Sequence, residues 1–172
     1  QYKADEILVS CGAKHSLYNV FQAVLDPGDE VLIFAPYWVS YPEMISLTGA
    51  VPVVVQAREE NRFIPDAGEV ESLITKKTKA MVLNYPSNPT GVLFPLDLLN
   101  KLASVAERHD LLVISDEIYD KLLYDGHTFT PFCKLPGMKE RTILINGVSK
   151  TYAMTGLRIG YLACTLPDVV TA

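Results

Sequence analysis

Residues 111–119 read Leu-Leu-Val-Ile-Ser-Asp-Glu-Ile-Tyr, so an unbroken apolar run ends abruptly in charged and polar side chains. A second run of this kind, Val-Leu-Ile-Phe, stands at 31–34. Strands that are covered on both faces have this pattern, because neither side of the pleat meets water. Both runs therefore predict central strands of a sheet with helices on its two faces.

Strand-like and helix-like segments alternate along the whole chain. Strands are predicted at 6–11, 31–35, 51–55, 80–84, 111–115, 142–146 and 159–163. Amphipathic helices are predicted at 14–25, 38–47, 66–74 and 95–109, with Asp66 as a candidate N-cap, and a turn is predicted at 166–168. Strands that are separated by helices imply crossover connections and parallel pairing. We therefore predict an α/β fold, a three-layer αβα domain with a mostly parallel central sheet.

Composition and charge narrow the class of protein. The chain has 172 residues, 49% of them hydrophobic, and a net charge of −5. This acidic balance argues against nucleic acid or an anionic membrane surface as a partner. No apolar run reaches the ~18 residues that a membrane span needs, and no signal peptide is visible. Cys11, Cys133 and Cys164 are far apart, which argues against a disulfide framework and favours the cytoplasm.

Functional residues are expected just after the strands, because ligands of open parallel sheets bind beyond the carboxyl ends of the strands. Asp116 is either a helix N-cap or a buried carboxylate that faces a cationic ligand atom. Lys150 is either a solvated surface group or a Schiff-base nucleophile in a desolvated pocket. Arg158 is either a strand-end charge or a bidentate phosphate clamp. No GxGxxG follows a strand, no GxxxxGK[ST] occurs, and the spacing of the three histidines predicts no metal site.

Several motifs occur in one order along the chain. They are Gly-Ala-Lys at 12–14, Pro-Tyr-Trp-Val-Ser-Tyr-Pro at 36–42, Asn-Tyr-Pro-Ser-Asn-Pro-Thr-Gly at 84–91, Ser-Asp-Glu-Ile-Tyr at 115–119, and Ser-Lys-Thr-Tyr-Ala-Met-Thr-Gly-Leu-Arg-Ile-Gly-Tyr at 149–161. In these motifs the chain resembles the class I/II aminotransferases of the aspartate aminotransferase family, which are fold-type I pyridoxal-phosphate enzymes. The resemblance runs over essentially the whole chain.

The resemblance implies pyridoxal 5'-phosphate as the cofactor. In such enzymes the cofactor aldehyde forms an aldimine with the motif lysine, here Lys150, whose freed amine later moves a proton between the substrate α-carbon and the cofactor. The aspartate that matches Asp116 faces the pyridine nitrogen and keeps it protonated, so that the ring remains an electron sink. With Tyr119, these are the implied catalytic residues.

The resemblance also implies the remaining cofactor and substrate contacts. Asn88 and Tyr119 match residues that hydrogen-bond the phenolic oxygen, and Trp38 matches the aromatic side chain that stacks on the ring. Asn88 and Trp38 lie next to the substrate carboxylate in the family. The phosphate is expected on backbone N–H groups around Gly12, Ala13 and Lys14 at a helix N-terminus, with the side chains of Ser149 and Arg158 completing the cradle.

The resemblance further implies a domain organisation and partners. Residues 1–172 match the cofactor-binding large domain, and both ends read as cuts through a longer protein. The N-terminal arm and the C-terminal small domain, which carries the arginine for the substrate carboxylate, are expected to be absent. Family active sites form between two subunits, so the full-length protein is expected to be a homodimer. The isolated domain is therefore expected to be nearly inactive.

The expected reaction moves an amino group between an amino acid and a 2-oxo acid, with an aspartate or broad specificity. Two alternatives remain open. The first is a β-lyase or decarboxylase of the same fold, which product analysis would separate from a transaminase. The second is an aminotransferase-like effector domain of a transcription regulator, which a winged-helix pattern before Gln1 would favour.

Overall fold

A single seven-stranded sheet organises the part of the chain that the computed structural model describes, residues 1–171. Its strands are β1 (Ile7–Ser10), β2 (Glu30–Ala35), β3 (Val51–Gln56), β4 (Thr78–Asn84), β5 (Leu112–Asp116), β6 (Thr142–Gly147) and β7 (Gly160–Ala163). The helices are α1 (Ala13–Val24), α2 (Ser40–Ser46), α3 (Ala67–Ser72), α4 (Leu96–Arg108) and α5 (Pro167–Thr171). Short 3₁₀ turns stand at Ala4–Glu6, Glu59–Asn61, Phe132–Lys134 and Thr155–Leu157.

The sheet is mostly parallel, as predicted, with one reversed strand. The spatial order is β1-β7-β6-β5-β4-β2-β3, and the pairs from β3 to β6 are all parallel. Strand β7 runs antiparallel to both of its neighbours, so Gly160 at its start pairs with Ser10 and Gly147 at their ends. The start of β7 therefore lies at the same edge as the carboxyl ends of the other strands.

Helices cover both faces of the sheet, which confirms the three-layer αβα prediction. Alternate side chains of one strand point to opposite faces. Leu32 and Met81 accordingly belong to a core cluster with α3 and α4 residues such as Val70 and Leu102. Val31, Ile33 and Val82 belong to a second cluster, with side chains of α1 and α2. The central strands β2, β4 and β5 thus contribute side chains to both cores, which explains why their sequences are apolar without alternation.

Local signals in the sequence set the helix boundaries. The Asp66 side chain accepts the backbone N–H of Glu69 at 2.9 Å, so Asp66 caps α3 as predicted. Helix α4 buries one apolar stripe against the sheet, consisting of Leu98, Leu99, Leu102, Val105 and Ala106. Both helices end within two residues of the predicted boundaries, where frayed last turns are common.

The structure differs from the sequence prediction in two places. The segment predicted as a turn at 166–168 begins α5, because proline is favoured in the first turn of a helix, where its missing N–H has no acceptor to lose. The irregular stretch between β5 and β6 also contributes Phe132 and Met138 to the core. No helical or strand periodicity marks that stretch, so its core residues were not predicted.

Candidate functional site

A cleft of about 210 Å³ opens at the edge where the parallel strands end and β7 begins. All the predicted site residues except Gly12 line this cleft, namely Ala13, Lys14, Trp38, Asn88, Asp116, Tyr119, Ser149, Lys150 and Arg158. They come from five separate segments of the chain. Their convergence follows from the topology, since each segment adjoins the same sheet edge.

Asp116 ends β5 and is almost completely buried, at 4% exposure. The Tyr41 hydroxyl donates to its Oδ2 at 2.7 Å, and the Ile118 N–H donates to its Oδ1 at 3.3 Å. Burial raises the pKa of Asp116 to about 6, although these two hydrogen bonds act in the opposite direction. Of the two interpretations of Asp116, the geometry supports the buried carboxylate that faces a cleft.

Two asparagines hold the β4 loop against the end of β5. The Asn84 side-chain N–H donates to the Asp116 carbonyl at 3.0 Å, while its Oδ1 accepts the Asn88 N–H at 2.8 Å. Asn88 is thereby held beside Tyr119. Burial raises the pKa of Tyr119, and the charge of Asp116 raises it further, whereas the Asn88 side chain lowers it. Tyr119 is consequently a protonated donor at neutral pH.

Lys150 follows β6 and lines the same cleft as these polar groups. Its Nζ lies 5.9 Å from the centroid of the Tyr119 ring. The side chain is exposed to solvent, so it does not occupy the desolvated pocket that the nucleophile interpretation assumed. What distinguishes Lys150 from other surface lysines is its position in the same cleft as Asp116.

The start of α1 forms a concave cradle beside Lys150. The N–H groups of Ala13 and Lys14 lie in the first helical turn, where no acceptor of the helix reaches them. Such groups favour an anion, because the helix dipole adds to their hydrogen bonds. The Arg158 guanidinium completes the cradle and is fixed by a 2.9 Å hydrogen bond from Nη1 to the Thr155 carbonyl.

Gly12 was predicted to contribute to the phosphate cradle through backbone N–H groups around it, and in the structure it contributes through its conformation and its lack of a side chain. It does not line the cleft, and its own N–H donates to the Ser10 carbonyl at 2.9 Å. It has φ +86°, and a side chain there would overlap the Arg158 guanidinium. Gly12 therefore provides a backbone conformation and space for Arg158. Gly160 is equally constrained, because a Cβ there would overlap the backbone of Ala13.

Trp38 forms the aromatic wall of the cleft. Its ring meets the Tyr41 ring edge to face, with centroids 5.4 Å apart. The Nζ of Lys14 lies 4.7 Å from the centroid of the Trp38 ring, within the range of a cation–π contact. A planar ligand could thus meet an aromatic face here, although Lys14 contacts that ring in this structure.

Residues 1–171 contain neither a cluster of metal ligands nor a membrane-spanning helix. In that part of the chain, no three His, Cys, Asp or Glu side chains are grouped so that they could hold a metal ion. None of its helices has the length and apolar character needed to cross a bilayer.

A family model described as "Aminotransferase class I and II" matches residues 1–172. This chain belongs to that family. The chain is 51% identical over 168 residues to the probable aspartate/prephenate aminotransferase of Thermus aquaticus, covering 98% of this chain and 43% of that protein. It is also 51% identical over 173 residues to the aspartate aminotransferase of Bacillus subtilis, covering 100% of this chain and 44% of that protein.

Solved structures agree with the family assignment. A double mutant of Thermus thermophilus aspartate aminotransferase superposes with a TM-score of 0.92 at 46% identity, over 97% of this chain and 43% of that one. The Thermotoga maritima aspartate aminotransferase gives a TM-score of 0.93 at 42% identity, over 98% and 44%. The chain therefore has the aminotransferase fold and spans less than half the length of the relatives that it matches.

In this class I and II aminotransferase chain, several side chains that line the cleft were not among the predicted site residues. Tyr41 and Asn84 line it and bond Asp116, and both lie inside quoted motifs whose other members were singled out. Their position inside the segments 36–42 and 84–91 was the one sequence feature that could have identified them as site residues. Ile118 and Thr155 also line the cleft and lie inside the quoted segments 115–119 and 149–161, whereas nothing in the sequence distinguishes Leu17, a further lining residue, from a core residue.

Proposed function

We propose that this chain is the cofactor-binding large domain of a pyridoxal-phosphate-dependent aminotransferase. The reaction transfers an amino group between an amino acid, aspartate or a broader set, and a 2-oxo acid. The observation that carries this proposal is that the Lys150 amine and the Asp116 carboxylate line one cleft, with an anion cradle beside them. Family membership and the names of the relatives support the same reaction.

The donor set fits pyridoxal phosphate group by group. Asp116 is a buried carboxylate suited to a protonated ring nitrogen, and Asn88 and Tyr119 are donors suited to a phenolate. The N–H groups of Ala13 and Lys14, with Ser149 and Arg158, would hold the phosphate. When bound, the cofactor supplies an electron sink for the carbanion at the substrate α-carbon.

The other roles in the reaction belong to side chains of this chain. The Lys150 Nζ would be the nucleophile that holds the cofactor, and its amine would accept and return the proton of the substrate α-carbon. The Asp116 carboxylate would keep a proton on the ring nitrogen. Trp38 supports the ring plane, and with Asn88 it borders the place for the substrate carboxylate. All of these residues lie next to the same edge of the sheet.

An absorption spectrum tests the role of Lys150. Adding pyridoxal phosphate to the purified chain is expected to give a yellow band, which the Lys150→Ala variant lacks. After reduction with borohydride, mass spectrometry is expected to find the pyridoxyl group on Lys150. Lys101→Ala is a matched control, because Lys101 is an exposed lysine of α4 that does not line the cleft. A label distributed over several lysines would contradict the proposal.

Turnover tests the reaction class. The whole protein is expected to convert aspartate and 2-oxoglutarate into oxaloacetate and glutamate. The 172 residues alone are expected to do so barely, because the resemblance assigns the substrate-carboxylate arginine and a phosphate-contacting tyrosine to sequence outside them, and misplaced substrates react slowly. Release of ammonia and pyruvate in place of amino transfer would indicate a lyase.

We also propose a homodimer in a reducing compartment, the cytoplasm. Exposed apolar side chains at β1 and after Lys150, such as Val9 at 69% and Leu157 at 60% exposure, suit burial against a second subunit. Cys11, Cys133 and Cys164 are free thiols, as expected where disulfides are rare. Light scattering of the whole protein checks the dimer, for which the expected mass is twice that of one chain.

A further inference from the structure

Tyr41 reaches Asp116 from a different layer of the fold. It lies in α2, is 3% exposed, and donates its hydroxyl to Asp116 Oδ2 at 2.7 Å across 75 positions of sequence. Its ring also packs perpendicular to the ring of Trp38. One side chain thus connects the helical layer, the aromatic wall and the buried acid of the cleft.

A buried carboxylate needs donors, because removal from water penalises its charged form. Asp116 receives one side-chain donor, Tyr41, and one backbone donor, the Ile118 N–H. Burial raises the pKa of the Tyr41 hydroxyl well above its ordinary value, and the nearby Asp116 charge raises it as well. Tyr41 therefore stays protonated and can act only as a donor to Asp116 over the physiological range.

We propose that Tyr41 is a positioning residue of this site, whose hydroxyl keeps Asp116 ionised and fixes its orientation so that a protonated ring nitrogen meets a preformed carboxylate. The inference rests on the proposed function, since it concerns how Asp116 receives the cofactor. It goes beyond the roles implied by the family resemblance, in which Tyr41 has none.

Other charged or titratable groups also lie near Asp116 and must be held constant in a test. Tyr119 faces it from the loop after β5, and Glu117 follows it on the opposite face of the strand. Lys14, Lys150 and Arg158 border the same cleft. A comparison of the wild type with Tyr41→Phe leaves all of these groups unchanged. A difference in titration or affinity between the two proteins is therefore caused by loss of the Tyr41 hydroxyl.

The test uses Tyr41→Phe and a ligand that cannot react with Lys150. Pyridoxine 5'-phosphate lacks the aldehyde, and its binding can be followed by fluorescence of Trp38, the single tryptophan of the chain. In the wild-type chain, affinity is expected to fall at acid pH as Asp116 is protonated. Tyr41→Phe is expected to move this fall upward by about one pH unit and to weaken binding at neutral pH about 3- to 10-fold.

A second measurement needs no ligand. The ¹³Cγ resonance of Asp116 in the free chain is expected to titrate about one pH unit higher in Tyr41→Phe than in the wild type. Tyr37→Phe is the matched control, because Tyr37 stands four positions earlier, packs against the same core cluster and lines a neighbouring pocket instead of the cleft. It is expected to leave both the titration and the affinity unchanged.

A double-mutant cycle separates positioning from packing. In an Asp116→Asn background, Tyr41→Phe is expected to have no further effect on the pH dependence of binding. An equal loss in both backgrounds would mean that Tyr41 only packs, and would overturn the inference. So would unchanged titration and affinity in Tyr41→Phe while the wild-type chain binds the probe. Absence of wild-type binding at every pH would instead overturn the proposed function, and this inference with it.

Discussion

Asp116 and Glu117 are consecutive acids at the end of one strand, and they face opposite sides of the sheet. Asp116 is 4% exposed and Glu117 is 2% exposed, so burial alone does not separate them. Asp116 lines the cleft and accepts the Tyr41 hydroxyl. Glu117 accepts the Ser115 hydroxyl at 2.9 Å and the Phe132 N–H at 3.3 Å, and it lies in the core behind the site.

Burial raises the pKa of both acids, to about 6 for Asp116 and about 7 for Glu117. The pKa is thus raised to a similar degree in the acid that faces the cleft and in the acid that does not. A shifted pKa indicates desolvation, and it indicates a reactive site only where the group also borders a cavity with complementary charges. For Asp116 the complement is the set of cationic side chains in the cleft, Lys14, Lys150 and Arg158.

The largest expected effect is the loss of activity when Asp116 is neutralised. In the whole protein, Asp116→Asn is expected to lower kcat/KM for amino transfer by at least about 100-fold, because a preorganised charge at the reacting ring is lost. Glu117→Gln is expected to change kcat/KM by no more than about 3-fold, since Glu117 does not reach the cleft. Comparable losses in the two variants would break the distinction between the two acids.

The next largest effect concerns the pH dependence of stability. A carboxyl group usually makes a folded protein more stable as the pH rises, and for Glu117 we expect the opposite. The folded state raises the pKa of Glu117 from 4.5 to about 7, so the folded chain binds an extra proton between these values. The free energy of unfolding therefore falls as the pH rises through this window, by about 3 kcal/mol for this one group. Glu117→Gln is expected to remove that part of the pH dependence and to be more stable than the wild type at pH 8.

Urea unfolding of the 172-residue chain at pH 5 and pH 8 measures this difference. Asp116→Asn is the matched comparison, because its carboxylate is also buried but its pKa window ends lower, near 6. Relative to the wild type, the free energy of unfolding of Asp116→Asn is expected to rise with pH until about pH 6 and then level off. That of Glu117→Gln is expected to rise until about pH 7. A wild-type stability that rises between pH 5 and pH 7 would contradict the assignment for both acids.

Strand alternation predicts that consecutive residues lie on opposite faces of a sheet, and Asp116 and Glu117 do so. The sequence also predicted the seven strands and the edge where Lys150 and Asp116 meet, since apolar runs and topology rules are local or general. It did not predict the bond from Tyr41 to Asp116 or the bridge through Asn84, because these depend on rotamers and on how far α2 lies from β5. The role of Gly12 was likewise hidden, because its φ and its contact with Arg158 appear only in the fold.

The smallest expected effect tests whether the two faces are independent. Ser115→Ala removes the hydroxyl that donates to Glu117 Oε1, leaving the Phe132 N–H as the donor recorded for this carboxylate among residues 1–171. The charged form of Glu117 loses more than the neutral form, because hydrogen bonds to ions are the stronger ones. The variant is therefore expected to lose about 1 kcal/mol of unfolding free energy at pH 8 and less at pH 5. In a Glu117→Gln background this dependence on pH should vanish, and the affinity for pyridoxine 5'-phosphate should be unchanged in both backgrounds. A weakened affinity would show that the core face acts on the cleft through β5, and the two acids would then have to be treated as one coupled unit.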